Sequence, residues 1–179
     1  MDLWTVSGHI SCACAALRRA SRATTQLYDL VLQPAGLKTT QFIILQRIHE
    51  AGEIPQWKFA REEAIAVETL SRRFAALRKK GLLSVKTGKH GEKVYSLTAA
   101  GKETLETALP YWKRAQDRLS RTLPDGHIQQ LLRVCEDVVQ AAHVAGELRA
   151  YNSADQVLTV HPSNSGNHTQ SALPHMERR

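Results

Sequence analysis

The stretch AVETLSRRFAALRKKGLLSVKTGKHGEKVYSL, Ala66 to Leu97, constrains this chain more than any other. Val67, Leu70, Phe74 and Leu77 recur at spacings of three and four, which predicts a helix with one buried stripe. Glu68, Thr69, Arg72, Arg73 and Lys79 then lie on its other faces, towards solvent or a partner. Gly81 stops the helix and Leu82 to Val85 begins a strand. The two glycines between Thr87 and Glu92 reverse the chain, and Val94 to Leu97 returns. The segment holds eight Lys and Arg against two Glu, a net +6 (8 − 2), while the whole chain of 179 residues is only +7. Nearly all the excess charge therefore sits on one helix and one hairpin, as a surface that grips a polyanion would place it.

The length suits one domain with a real core, and a hydrophobic content of 42% is ordinary for a globular protein. The positive balance favours nucleic acid or an anionic membrane surface as partner. No apolar run is long enough to span a bilayer, so no membrane insertion is expected. The opening MDLWTVSGHIS has neither a basic nor an apolar leader segment, so no signal peptide is expected. Three cysteines cannot all pair within one chain, and Cys12 and Cys14 are too close in sequence for a structural bridge. A reduced, cytoplasmic setting follows.

Residues 1–11 read as an N-terminal arm. Cys12 to Leu32 reads as a long helix whose seam runs through Ile10, Cys14, Leu17, Ser21, Thr24, Tyr28 and Val31. Pro34-Ala35-Gly36 ends it. A second helix opens at Thr40 with Phe42, Ile44, Leu45 and Ile48 apolar, and closes at Gly52. Pro55 to Glu63 predicts a short third helix, with Pro55 in its first turn and Trp57 and Ala60 inward. After the basic segment, Thr98 is placed as an N-cap for a long helix with Leu105, Leu109, Trp112, Gln116 and Leu119 as its stripe and a bend at Pro110. Pro124-Asp125 starts a last helix through Ile128, Leu131, Cys135, Val138, Ala142 and Ala145 to about Ala150. Residues 151–179 lose periodicity and read as a disordered tail.

The fold expected is mainly α with a small β-wing: a winged helix-turn-helix over about 38–97, flanked by long helices at about 12–32 and 98–150. The flanking helices carry more apolar surface than so small a centre can cover, so a second copy is expected to bury it. An enzyme is not expected, nor a cofactor. The chain has no nucleophile elbow, no phosphate-cradling glycine loop, no His-Glu-x-x-His and no recognisable carboxylate pair. A winged helix used only for protein contact is the rival, and it calls for an apolar or acidic outer face where this one is basic.

Three stretches, Cys14 to Ile48, Thr69 to Val85 and Ser96 to Trp112, resemble the MarR family of bacterial transcription regulators in their order and spacing. The resemblance implies a homodimer held by the terminal helices and released from a palindromic operator in double-stranded DNA, often by a small aromatic ligand. It implies one helix per subunit in the major groove and each wing along the backbone or minor groove, with the helix arginine at Arg72. Many members carry Asp-x-Arg at the wing tip. Here the tip is Gly88-Lys89-His90-Gly91-Glu92-Lys93, and lysine lacks the flat fork that suits a narrow groove. On DNA, Thr69, Arg72 and Arg73 are spaced to read base edges; the alternative is that one arginine pairs with a phosphate or with Glu68, four residues before Arg72, and one base reader with one phosphate binder is the division expected. Ser71, Arg78, Lys86, Lys89, His90 and Lys93 are assigned to backbone and wing contacts, with Lys79 and Lys80 adding charge.

The run from Cys14 to Ala23 is similar to the first helix of the organic-peroxide-sensing branch of that family, which implies an oxidisable Cys14 supported by Tyr28. Arg18 and Thr39 stand where two further supporting tyrosines would. Arg18 and Arg19 bring positive charge near the thiol, as a reactive cysteine needs. The alternative is an inert cysteine packed in a helix seam, the role also expected of Cys135. His9, Cys12 and Cys14 make a poor metal set, because Cys-x-Cys on a helix points its thiols apart and no fourth ligand is evident.

Overall fold

The computed structural model describes residues 5–6, 9–10 and 12–158. The chain divides into two compact units, residues 1–130 and 131–179. In the first, β1 (Thr5–Val6) and β2 (His9–Ile10) pair antiparallel, so Ile10 precedes the first helix rather than joining its seam. Then come α1 (Ala13–Leu32), a 3-10 turn (Gln33–Ala35), α2 (Thr39–Ala51), β3 (Glu53–Pro55), α3 (Gln56–Glu62) and α4 (Val67–Lys79). The hairpin β4 (Leu83–Thr87) and β5 (Lys93–Leu97) leads into α5 (Ala99–Thr122) and α6 (His127–Leu158).

One small sheet, in the order β3-β5-β4 and antiparallel throughout, braces the helices. Its register sets Ile54 and Val85 on either side of Tyr95, and Pro55 and Lys86 on either side of Val94. β3 was not expected. Pro55 ends an edge strand, where its missing N–H costs no ladder bond, instead of sitting inside the next helix.

The core gathers one face from each element. Phe42, Ile44, Leu45 and Ile48 of α2 are buried as their spacing predicts, as are Leu70, Phe74 and Leu77 of α4. Phe74 lies at the centre, with Phe59 edge-on at 5.3 Å and Tyr95 at 4.3 Å. Trp112 stacks on Phe42 at 5.9 Å and ties α5 to this core. Four apolar residues depart from expectation. Val67 is 46% exposed because it opens α4 and stands beyond the end of the stripe; Trp57 is 56% exposed because α3 turns Gln56, Phe59 and Ala60 inward, so that Phe59 fills the place given to Trp57. Leu109 is exposed while Ala108 and Ala115 are buried, since α5 packs closely enough that small residues take the contact line. Cys135, expected in the core, is exposed.

Two joints organise the lobe. Asp29 of α1 accepts bonds at 2.7 Å from both the amide and the hydroxyl of Thr39, so a side chain from one helix caps the next. Burial pushes its carboxyl up, but those two bonds and the Lys38 ammonium at 3.5 Å outweigh that and hold it below the usual carboxylate range. At the start of α5, Thr98 is the expected N-cap: its hydroxyl accepts from the Gly101 amide at 3.0 Å and donates to the Gly81 carbonyl at 2.6 Å. Gly81 itself, at φ 74°, closes α4 in the left-handed conformation that favours glycine.

In the second unit, Leu131, Leu132, Val134, Val138 and Val144 of α6 are all exposed. The helix runs to Leu158 rather than to about Ala150. No Gly or Pro stands between Gly146 and Pro162, so nothing in the chain stops a helix already propagating. Of the expected tail, residues 159–179 lie outside those described.

Candidate nucleic-acid interface

Burial of Leu70, Phe74 and Leu77 fixes the rotation of α4, and the rest of its surface follows. Arg72, Ala75, Ala76 and Lys79 face solvent, and Thr69 and Arg73 are half-buried beside them. Of the three residues expected to read bases, Arg72 therefore projects furthest. Among the described residues it makes no hydrogen bond or ion pair, so the alternative pairing to Glu68 is not formed and the guanidinium fork is unoccupied.

Ser71 departs from its expected backbone role. Its hydroxyl donates to the Val67 carbonyl at 2.8 Å and accepts from the Gln56 amide. Gln56 is buried, and its carbonyl oxygen accepts from the Tyr95 hydroxyl at 3.5 Å. One side chain of α3 thus joins the start of α4 to the strand β5. Sequence reasoning missed Gln56, because a polar residue in a short helix carries no periodic signal; its place between Pro55 and Phe59 is the only hint.

The wing separates its charges. Gly88 donates to the Glu92 carbonyl at 2.8 Å and closes the turn. The Glu92 carboxylate folds back to accept from the His90 amide at 2.9 Å. Bonds from its own amide and from that of His90 hold it below the usual carboxylate range. The tip's one acid is thereby occupied by backbone, while Lys89, His90 and Lys93 remain exposed. Lys86 differs: it sits in β4 and forms an ion pair with Glu53 across the sheet, which leaves it less to offer a phosphate. Arg78 is exposed near the end of α4 with no ion pair among the described residues.

Cys14 and Tyr28 are not brought together within one chain. They lie fourteen residues apart on α1, about 21 Å along the axis at the α-helical rise. The Tyr28 hydroxyl instead donates to Gln116 of α5, and burial pushes its pKa up. Thr39, which stands where a further supporting tyrosine would, is committed to Asp29. Cys14 and Cys12 are both exposed. Among the described residues no group of three metal-ligating side chains converges. No helix there is long and apolar enough to cross a membrane.

An open groove of about 870 Å³ lies between the end of α1 and α5. Leu30, Val31 and Pro34 line one side and Tyr111, Arg114 and Arg118 the other. The Arg114 guanidinium stands 4.8 Å over the Tyr111 ring.

A helix pair with a basic outer face, braced by a three-stranded wing, defines a winged helix-turn-helix protein. No protein-family model matches the chain, and no curated protein does. Among solved structures, the transcriptional regulator MosR of M. tuberculosis in complex with DNA is 32% identical, with 75% of this chain and 98% of that one covered and a TM-score of 0.69. The oxidized form of MarR from E. coli is 18% identical, covering 73% and 96%, with a TM-score of 0.61. A MarR-family regulator from Rhodococcus sp. RHA1 is 18% identical, covering 69% and 91%, with a TM-score of 0.63. The last two share the fold. The chain belongs to the MarR family of transcriptional regulators.

Proposed function

We propose that the protein is a sequence-specific double-stranded DNA-binding regulator, a cytoplasmic repressor with no catalytic role, released from its operator by a small ligand. The observation that carries this is Arg72, an unpaired guanidinium on the outer face of a helix that its own core holds in one rotation. Such a fork fits the O6 and N7 of guanine in the major groove. Thr69 and Arg73 flank it, and Lys89, His90 and Lys93 supply the backbone grip. The similarity to MosR in complex with DNA supports the same reading.

The binding unit is a homodimer through residues 12–32 and 98–150. Leu17 and Leu30 of α1, Leu109 of α5 and the exposed valines and leucines of α6 are the surface a second copy would cover. Two recognition helices then meet half-sites of a palindrome roughly one turn, ~10 bp, apart. Light scattering should give twice the chain mass, and footprinting on the protein's own promoter region should protect two half-sites on one face of the duplex. A monomer at every concentration would sink this assembly.

Wing and helix should separate in mutants. Lys89→Ala with Lys93→Ala should weaken operator and random DNA about equally and lower the salt slope by about 0.9 for each lost phosphate contact. If that double variant alone erased sequence preference, the roles of wing and helix would be reversed. The groove beside Tyr111 and Arg114 is where we place a small aromatic ligand: its lining sets Leu30, Val31, Pro34 and Tyr111 beside three arginines and one acid, Asp117.

A second reading makes oxidation the trigger. It is favoured by the exposure of the Cys14 thiol, with Arg18 one turn further along α1. Attack of the sulfur on an organic hydroperoxide gives a sulfenic acid and releases the alcohol. Support from Tyr28 would have to come from a second copy. In a gel shift, hydroperoxide should release the wild type, thiol should restore it, and Cys14→Ser should bind but ignore oxidant. An equal response from both proteins would remove Cys14 from the switch.

A further inference from the structure

We propose that Trp57 and Lys58, on the outer side of α3, make a third contact to the DNA backbone, between that of the recognition helix and that of the wing. This rests on the DNA-binding reading above and adds to it Trp57, which helix spacing places inward, and Lys58, which lies outside the basic segment.

Trp57 is conspicuous by its exposure. Phe42, Phe59, Phe74 and Tyr95 are buried and Trp112 is half-buried against Phe42, while Trp57 is 56% exposed. An indole left in water wastes a large apolar area unless a partner takes it up, and its N–H is a donor that suits a boundary between apolar and wet surfaces.

Its neighbours fix where it stands. Gln56, one residue before, turns inward to the Val67 carbonyl, the Ser71 hydroxyl and the Tyr95 hydroxyl. Pro55, one residue earlier, is paired with Val94, next to Lys93. Trp57 therefore stands where the start of the recognition helix meets the base of the wing. A duplex that takes Arg72 into its groove and follows the wing lysines runs its backbone past this junction.

The charge agrees. Lys58 is exposed, and its ammonium is 3.8 Å from Glu62, a loose pair that phosphate can replace. The elements that meet at the junction bring Lys58, Arg72 and Lys93; of their acids, Glu53 pairs with Lys86 and both Glu62 and Glu63 pair with Arg47, which leaves Glu68 on α4. The indole N–H would donate to a phosphate oxygen with the ring plane laid on the adjoining deoxyribose, and Lys58 would meet the next phosphate. Such a contact touches no base edge, so it strengthens binding to all duplexes alike.

The test titrates full-length protein with an operator duplex and a scrambled duplex across a salt series. Trp57→Ala should lose about a hundredfold on both, the scale of one hydrogen bond to a charged group in each half of the dimer. Trp57→Phe, which keeps a plate but no donor, should lose a smaller part. Lys58→Ala should lower the salt slope by about 0.9 per lost contact. Duplex should quench the tryptophan emission of the wild type and leave that of Trp57→Phe unchanged. Thermal melts and light scattering on each variant establish that fold and assembly persist. Wild-type binding with unchanged variants overturns this proposal alone. So does a variant that loses the preference between duplexes, or one that alters the oligomer while affinity per dimer stays constant, which would make Trp57 a protein contact. A wild type that binds neither duplex overturns the DNA-binding reading and this proposal with it.

Discussion

Arg72→Ala is expected to bring operator affinity down towards that for random DNA. Each bidentate arginine–guanine contact discriminates by about 1–3 kcal/mol, and a dimer makes two, so the loss is roughly 2–6 kcal/mol. At 1.4 kcal/mol per decade, that is between about 30-fold and about 10⁴-fold in the ratio of the two affinities. The size of the effect follows from the free guanidinium: no intramolecular pair must break before it binds, and none forms when it is removed. Arg72→Lys should regain salt-dependent affinity but little of the preference, because an ammonium cannot fork. The measurement is the ratio of operator to scrambled Kd at one salt concentration. A ratio unchanged by Arg72→Ala would move base reading to Thr69 and Arg73.

Gly101→Ala should be the most damaging single methyl in the first unit. Gly101 is buried in the first turn of α5, and a Cβ there would overlap the Leu82 carbonyl oxygen. Both sides of the clash are backbone, so no rotamer relieves it. The same turn holds the Thr98 amide bond to Leu82 at 3.1 Å and the Thr98 cap, all of which must shift together. A cost of about 3 kcal/mol or more is expected, the upper end of overpacking, with a fall in Tm of roughly 6–12 °C for a chain of this size. Gly146→Ala on α6 is the control: nothing lies within 4 Å of its added Cβ. A mid-helix alanine there should gain up to about 1 kcal/mol. Equal melting curves for the two variants would refute the close approach of α5 to β4.

Where a long apolar period exists, the structure follows it. Leu70-Phe74-Leu77 and Phe42-Leu45-Ile48 are such periods, and Thr98 is a cap whose chemistry is visible in its neighbours. The misreadings fall at the ends and in the short pieces. Val67 fits a stripe on paper, but a stripe buries only as far as its partner extends; Trp57 fits one too, but so short a helix does not fix its own rotation, and Gln56 and Phe59 take the inward face. Glu53-Ile54-Pro55 is too short to alternate, so β3 is invisible until Tyr95 and Val94 stand opposite it. The basic surface was legible as composition. Which of its members are free was not, since Lys86, Ser71 and Glu92 find partners distant in sequence or in backbone. That Cys14 and Tyr28 do not meet within one chain follows from arithmetic the sequence already contains: fourteen residues of helix are about four turns. Gly101 carries no signal at all, because close approach is a property of the two backbones and not of either segment.

The cap that Asp29 places on α2 has a consequence for signalling. It is a latch between α1 and the lobe that carries α4, and it is held shut by a carboxylate. A carboxyl whose folded pKa lies below its free value contributes stability that is complete above the free value, ~3.9, and is lost only as pH falls through the folded one. The latch therefore stays closed throughout the range in which a cell lives. A drop in pH of a unit or two from neutrality carries no message through this joint. What opens it has to act by displacement, with a molecule or an altered side chain shifting α1 against α2 until the Thr39 bonds no longer reach.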